Sequence, residues 1–266
     1  MRFAIAYYKN NIAGKNIADR FRELGFFPQI PVIELKKETL YSDDLNSKNY
    51  PELKNIDFLV FASTHRSEKN QPSLCLHAPG NWRDADLGGK PGKVCPTSAN
   101  VLKYLFQELK KNAVQEGLSE EYHVTMEATH HGPIIDIPCC FIEIGSNENK
   151  WTDKKAAAAI AKTILSLQNF NSADANIPAV GIGGPHYCPN FNDIQLNTQY
   201  AISHIIPIYN LPLTESMIME AEKKTKEQIM LALIDWKGLG KSEERQKVLD
   251  TLEKCNLSYK RTSHIK

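Results

Sequence analysis

The sequence has no excess of charge of one sign. Its 32 Lys and Arg stand against 31 Asp and Glu, a net charge of +1. This excludes a chain that is polycationic throughout, though not a local basic face. Long hydrophobic runs are missing too. The first apolar stretch, Phe3-Ala4-Ile5-Ala6, is too short to cross a bilayer and is closed by Lys9, so neither a signal peptide nor a membrane span is expected. The six cysteines, at 75, 95, 139, 140, 188 and 255, include no C-x-x-C pair. Scattered cysteines of this kind predict reduced thiols and a cytoplasmic protein. No G-x-x-x-x-G-K-[ST] loop, G-x-S-x-G elbow or H-E-x-x-H helix is present, which removes the P-loop, serine-hydrolase and zinc-metalloprotease signatures. The run Gly181-Ile182-Gly183-Gly184 fails as a dinucleotide fingerprint because His186 stands where a glycine is required. What remains is 266 residues of ordinary globular composition, 42% hydrophobic and 24% charged. That is enough chain for a sizeable core.

Short apolar runs alternate with helical patterns. Strands are predicted over 2–8, 30–35, 57–63, 122–127, 139–144 and 177–182. Helices are predicted over 12–24, closed by Gly25, over 97–112 with Thr97 or Ser98 as N-cap, within 152–168 with Asp153 near its positive end, and over 214–234 and 242–255. The stretch 169–176 reads as a polar link. The alternation predicts an α/β fold, a mixed and largely parallel sheet flanked by helices, as one domain over 1–266. From 221 to 266 there are eleven Lys and Arg against seven Asp and Glu. The region from about 214 is therefore expected to be helical and locally basic, able to follow a phosphate backbone or to form a solvated face.

The loops after the predicted strands hold the polar chemistry. They read STHRS (63–67), HAPGNW (77–82), ATHHGP (128–133) and GGPHYC (183–188), with His204 further on. Six of the eight histidines fall in or beside these segments. Loops at the carboxyl ends of strands in an open α/β sheet converge on one crevice, so a shared site is expected there. His130 and His131 are neighbours and would face opposite ways in extended chain; Gly132-Pro133 allows the turn that brings both to one pocket. Glu127, three residues earlier, can orient an imidazole, accept a proton or ligate zinc. Cys139 and Cys140 should face opposite sides of a strand as buried thiols. Cys188 and His186, two apart, can share a face.

Taken together, STHRS, LHAPGNW (76–82), EATHHGP (127–133), FIEIGSNENKW (141–151), VGIGGPHYCP (180–189), SHIIP (203–207) and ALIDWKGL (232–239) resemble the archaeal and plant type of D-aminoacyl-tRNA deacylase. The resemblance spans almost the whole chain and departs from the family at Ser203, where glycine is common. It implies hydrolysis of the ester joining a D-amino acid to the terminal ribose of tRNA. It also implies zinc as cofactor, D-aminoacyl-tRNA as partner, and a fold similar to peptidyl-tRNA hydrolase and nucleoside phosphorylases. On that basis His130, His131, Glu127 and Arg66 are expected to be catalytic. His77, His130, His131, His186 and Glu127 are the expected metal donors. Asn81, Trp82, Gly183, Gly184 and Tyr187 are expected to bind substrate, with Trp82 and Tyr187 stacking on the terminal adenine and the 183–184 backbone serving an oxyanion. No obligate protein partner is expected, and a monomer suffices. The competing readings are a peptidyl-tRNA hydrolase or nucleoside phosphorylase on a similar scaffold, or a non-catalytic RNA-binding module with structural zinc.

Overall fold

A computed structural model of the protein describes residues 1–25, 29–172 and 175–265. In chain order its main elements are β1 (Phe3–Tyr8), α1 (Ile12–Glu23), β2 (Val32–Leu35), β3 (Phe58–Thr64), β4 (Ser73–His77), β5 (Gly80–Asn81), β6 (Lys93–Val94), α2 (Ala99–Gln115), β7 (His123–Met126), β8 (Cys139–Gly145), α3 (Glu148–Trp151), α4 (Lys154–Leu165), β9 (Ile177–Ile182), α5 (Pro189–Asn197), β10 (Tyr200–Ile206), α6 (Glu215–Lys223), β11 (Leu231–Ile234), α7 (Ser242–Lys254) and β12 (Tyr259–Arg261). The expected α/β class holds, but the strands form two main sheets rather than one. A six-stranded sheet has the order β2-β1-β3-β8-β4-β7, and a four-stranded sheet has the order β10-β9-β11-β12. Pairing is parallel within the second sheet, and in the first it is antiparallel only between β4 and β8.

Local chemistry explains the helix starts. Ser98 is the N-cap of α2, its side chain accepting from Val101 N, and the Glu227 carboxylate adds acceptors for Ala99 N and Asn100 N. Asp153 caps α4 by accepting from Lys155 N and Ala156 N. These bonds satisfy backbone donors that have no partner inside the helix. The polar link at 169–176 lies partly outside the described residues.

Three sequence expectations are corrected. The apolar run Ser73–His77 was not expected as a strand, yet it is β4, buried along its whole length. The helix expected over 214–234 stops at Lys223, and Leu231–Ile234 becomes strand β11, because its four apolar residues are buried between β9 and β12. The region from 214 onward is therefore mixed, not helical. His204 lies inside β10, a strand that followed unrecognised after α5.

The two faces of the six-stranded sheet are covered differently, and this positions the site. One face packs against α1, α2 and α4 through Ile5, Val60, Ala62, Leu74, Leu76, Cys140 and Ile142. The opposite face, carrying Ala4, Ala6, Leu59, Phe61, Cys139 and Phe141, is covered by segments bearing Leu45, Tyr50, Leu53 and Ile135. Cys139 and Cys140 thus face opposite sides, and all six cysteines are free. Loops covering a sheet leave room that helices would fill. On this face Phe61 and Phe141 stack with centroids 4.7 Å apart, and Phe141 forms the floor beneath two histidines described below.

Phe141→Ala removes this floor. It should destabilise the protein by about 3–5 kcal/mol, read as a lowered urea midpoint with the slope unchanged.

Candidate active site

The site is built where several strand ends meet. Glu143 lies mid-strand in β8 and is in register with Ser63 of β3 and Cys75 of β4. His77 ends β4 opposite Phe141. Glu127 follows β7, and its N–H donates to Leu76 O. The next residues tie the two sheets together: Ala128 N donates to His186 O and Thr129 N donates to Ile205 O. That link brings His186, which follows β9, to the edge of the first sheet.

The turn anticipated between His130 and His131 occurs at His131 itself, whose φ of 45° is left-handed. It lets adjacent imidazoles share one space, with ring centroids 4.3 Å apart. The fold is locked by Gly80 N, which donates to His131 O, and by Gly132 N, which donates to Leu87 O. The 88–89 turn fits only because it lacks side chains: a Cβ on Gly88 would stand 1.9 Å from Leu40 O.

Seven ionisable side chains converge here. His77 lies 4.2 Å from His130 and 4.8 Å from His131 between centroids, and His130 lies 4.5 Å from His186. Glu127 is central. His65 Nδ1 is 3.0 Å and His186 Nε2 3.4 Å from its Oε1, and His77 Nε2 is 3.8 Å and His130 Nε2 4.0 Å from its Oε2. Although His65 is within hydrogen-bond distance, it is out of line, so both Glu127 oxygens are buried without an aligned donor. His77 Nε2 is orphaned in the same way and lies 3.9 Å from Glu143 Oε2.

The tautomers are set by the backbone. Nδ1 of His77 pairs with Ala78 O at 3.2 Å, that of His130 with Ala128 O at 2.8 Å, and that of His131 with Gly132 O at 2.6 Å. A carbonyl only accepts, so each Nδ1 carries the proton and each Nε2 presents a lone pair. Ligand atoms of His77, His130 and His131 lie within 4.8 Å of one another, as do those of Glu127, His130 and His186, of His77, Glu127 and Glu143, and of His65, Cys75 and Glu127. Convergent lone pairs, orphaned buried oxygens and carbonyl-oriented imidazoles are what a bound cation requires. The donor set fits zinc.

Burial, reinforced by neighbouring imidazoles, pushes His77 down to about 3 and His130 well below the ordinary imidazole value. His131 falls to about 4, chiefly through burial. Burial alone would push Glu127 up, but the proximity of His186, His65 and His130 outweighs it and holds this carboxyl well below the usual range. Glu143 goes the other way. Burial, then the charges of Glu127 and Glu38, push it well above, only partly offset by Ser63. The two carboxyls of this cluster are thus pushed in opposite directions by their surroundings.

The remaining expected residues are placed differently. Arg66 is exposed, 5.0 Å above the Trp151 ring, and lines the main cleft. Tyr187 is half-buried, and its hydroxyl meets His65 Nε2 at 2.9 Å. Asn81 donates to Gly88 O at 2.8 Å at the edge of a second cleft. Trp82 lines the smaller cleft but offers little surface for stacking: it is 4% exposed, its Nε1 donates to Ile205 O, and it packs with the core beneath the second sheet. Gly183 is corrected as an oxyanion donor, because its N–H donates to Ile206 O, and Gly184 lies beside the Asp235 carboxylate, which disfavours an anion. Cys188 also stays out of the cluster; its thiol faces the carbonyls of Pro185 and His186. His204 is structural, held by Thr129 and stacked edge-on to Trp82.

Sequence reasoning missed His65 as a site residue, and it missed Glu143 altogether. Glu143 left a signal: it is the lone charge inside the apolar run CCFIEIG, and a charged residue in a fully buried strand calls for a reason.

Two clefts open on either side of the His130–His131 ridge and share Leu87. The larger, about 510 Å³, includes Asn11, Glu38, Tyr41, Arg66 and Glu143; the smaller, about 260 Å³, includes Asn81, Asp86, Tyr209 and Asn210. A forked pocket around an ionisable cluster has room for a ligand with a sizeable group on each side.

Comparison with known proteins settles the family. Residues 52–260 match the family model for D-aminoacyl-tRNA deacylase. The chain belongs to the D-aminoacyl-tRNA deacylase family. It is 31% identical over 269 residues to the D-aminoacyl-tRNA deacylase of Methanocaldococcus jannaschii, covering 98% of this chain and 100% of that one. It is 36% identical to the enzyme of Caldivirga maquilingensis over 83% of this chain and 80% of that one. A crystal structure of a conserved protein of unknown function matches with a TM-score of 0.87 at 27% identity, covering 99% of this chain and 96% of that one. No described helix is long and apolar enough to cross a membrane.

Burial holds His204 down to about 4, against an ordinary 6.5. The unfolded chain therefore binds the extra proton between those values, and stability falls as pH drops from 6.5 toward 4, by about 3 kcal/mol for this residue. Urea midpoints of the chelator-treated protein should drop over that range, and His204→Gln should flatten the slope.

Proposed function

We infer that this deacylase hydrolyses the ester of D-aminoacyl-tRNA, releasing free D-amino acid and tRNA as chiral quality control in translation. The observation that carries the site assignment is the orphaned Glu127 carboxylate among four imidazoles, between two clefts. The donors come from both sheets of one chain, which supports reading 1–266 as a single deacylase unit that needs no obligate protein partner. A tRNA substrate supports reading its work as cytoplasmic.

The three Nε2 lone pairs of His77, His130 and His131 would hold zinc, with Glu127 and His186 beside them. When bound there, zinc supplies Lewis acidity and lowers the pKa of water to about 7. Glu127, ionised and unshared, takes a proton from the attacking water. The water oxygen bonds to the ester carbonyl carbon, and the bond from that carbon to the ribose oxygen breaks. The proton is then delivered to the ribose oxygen through His186 or His65, the two imidazoles facing Glu127 Oε1. Tyr187 on His65 and Tyr209 on His186 Nδ1, at 3.1 Å, hold these rings in place. Burial and the nearby charge of Glu127 favour the neutral form of Glu143, which limits the negative charge gathered beside Glu127. Arg66, at the mouth of the larger cleft, contacts the substrate there.

Matched D- and L-aminoacyl-tRNA should be separated by the purified protein, with rapid loss of the D ester only and inhibition by chelator. Glu127→Gln should lower kcat by about 100- to 10,000-fold with KM little changed and zinc retained. His77→Ala and His130→Ala should lose zinc on metal analysis. Equal hydrolysis of both enantiomers would reject chiral editing, and full activity of metal-free protein would reject the zinc assignment.

A further inference from the structure

The larger cleft holds one carboxylate that the chemistry above does not use. Glu38 follows β2 and lines this cleft together with Asn11, Thr64, Glu143 and His131. One of its oxygens is fully engaged: Oε1 accepts from Asn11 Nδ2 at 3.2 Å, Thr39 N at 3.1 Å and Thr39 Oγ1 at 3.0 Å. Among the described residues no donor is found for Oε2, and no Lys, Arg or His pairs with the group. The adjacent lysines are directed elsewhere, Lys37 to Asp44 at 3.0 Å and Lys36 over the Tyr50 ring. The carboxylate is therefore aimed and held, yet has no counter-charge of its own. It is also close to the reacting centre. Asn11, which donates to Glu38, donates to Ser63 Oγ at 3.1 Å as well, and Ser63 is the register partner of Glu143.

We propose that Glu38 is the anchor for the α-ammonium group of the aminoacyl ester and a determinant of chiral selection. The inference rests on the deacylase reading. An aminoacyl ester carries a cation one bond from the carbonyl carbon's neighbour, and a half-buried, preorganised carboxylate binds it more strongly than an exposed one. Asp84 and Asp86, the acidic groups near the smaller cleft, are exposed and are poorly suited to that task. This assigns the acyl group to the larger cleft and the terminal nucleoside to the smaller. It also supplies what stereoselection needs. With the carbonyl held at the histidine cluster and the ammonium at Glu38, two substituents of Cα are fixed. The side chain of one enantiomer then points into open cleft, and that of the other into the wall.

The test compares D-aminoacyl-tRNA with a matched D-ester bearing a hydroxyl in place of the amine. The wild-type protein should prefer the amine by about 10- to 100-fold in kcat/KM. Glu38→Gln, which keeps an acceptor for Asn11 and Thr39, should abolish most of that preference, mainly through KM, and should narrow the D-to-L ratio. Asp84→Asn with Asp86→Asn should leave the preference in place. Equal wild-type rates on the amine and hydroxyl esters would overturn the proposal whatever the variants do. Equal slowing of both esters by Glu38→Gln, or loss of preference in the Asp84/Asp86 variant instead, would overturn it while leaving the deacylase reading intact. Absence of wild-type hydrolysis of any D-aminoacyl-tRNA would overturn both.

Discussion

A carboxylate buried without a hydrogen-bond donor is the constraint around which this molecule is arranged. Desolvating such a group costs several kcal/mol unless opposite charge or a cation compensates it. Glu127 meets that demand by drawing His65, His77, His130 and His186 from four separate strand ends. The surrounding structure serves this gathering. Backbone carbonyls orient three of the rings, Phe141 supports two of them from below, and the 127–129 segment joins the sheets so that His186 arrives at all. A buried carboxylate ringed by imidazoles is a defect in a core unless something binds to it, and that need marks the cluster as a candidate site.

The asymmetric cover of the first sheet is the second condition. Helices fill one face densely. On the other, loops pack over Phe61 and Phe141 but leave the His130–His131 ridge flanked by two clefts. An ester of an amino acid and a nucleoside is itself a two-armed molecule. The ridge lies where its linkage would fall, and the polar character of each cleft can then differ. This division of space makes recognition of the acyl group and of the nucleoside separable problems.

Much of the fold was legible from the residues. The alternation of apolar runs and amphipathic stretches located β1, α1, β3, α2, β8, α4, β9 and α7 within a few positions, since burial of one face imposes a period on the chain. Short apolar runs were the weak point. Ser73–His77 is no longer than a turn of helix with its flanks, and Leu231–Ile234 follows a charged helix with little punctuation. Their strand identity depends on neighbours that pair with them, not on their own composition.

For the site, residue type and position after strands pointed to His77, His130, His131, His186 and Glu127, because loops at strand ends can converge. The spacing of EATHHGP and its companions was enough to indicate the family. Folding decided what local sequence could not: that the Trp82 ring N–H and the Gly183 N–H are committed to internal bonds, that His65 and the mid-strand Glu143 belong to the cluster, and that Glu38 faces the same cleft with an oxygen to spare. The reason is physical. A side chain's chemistry is written in its own residue, but its partners, its solvent and hence its charge are set by groups distant in sequence that only the packed chain brings within a few ångströms.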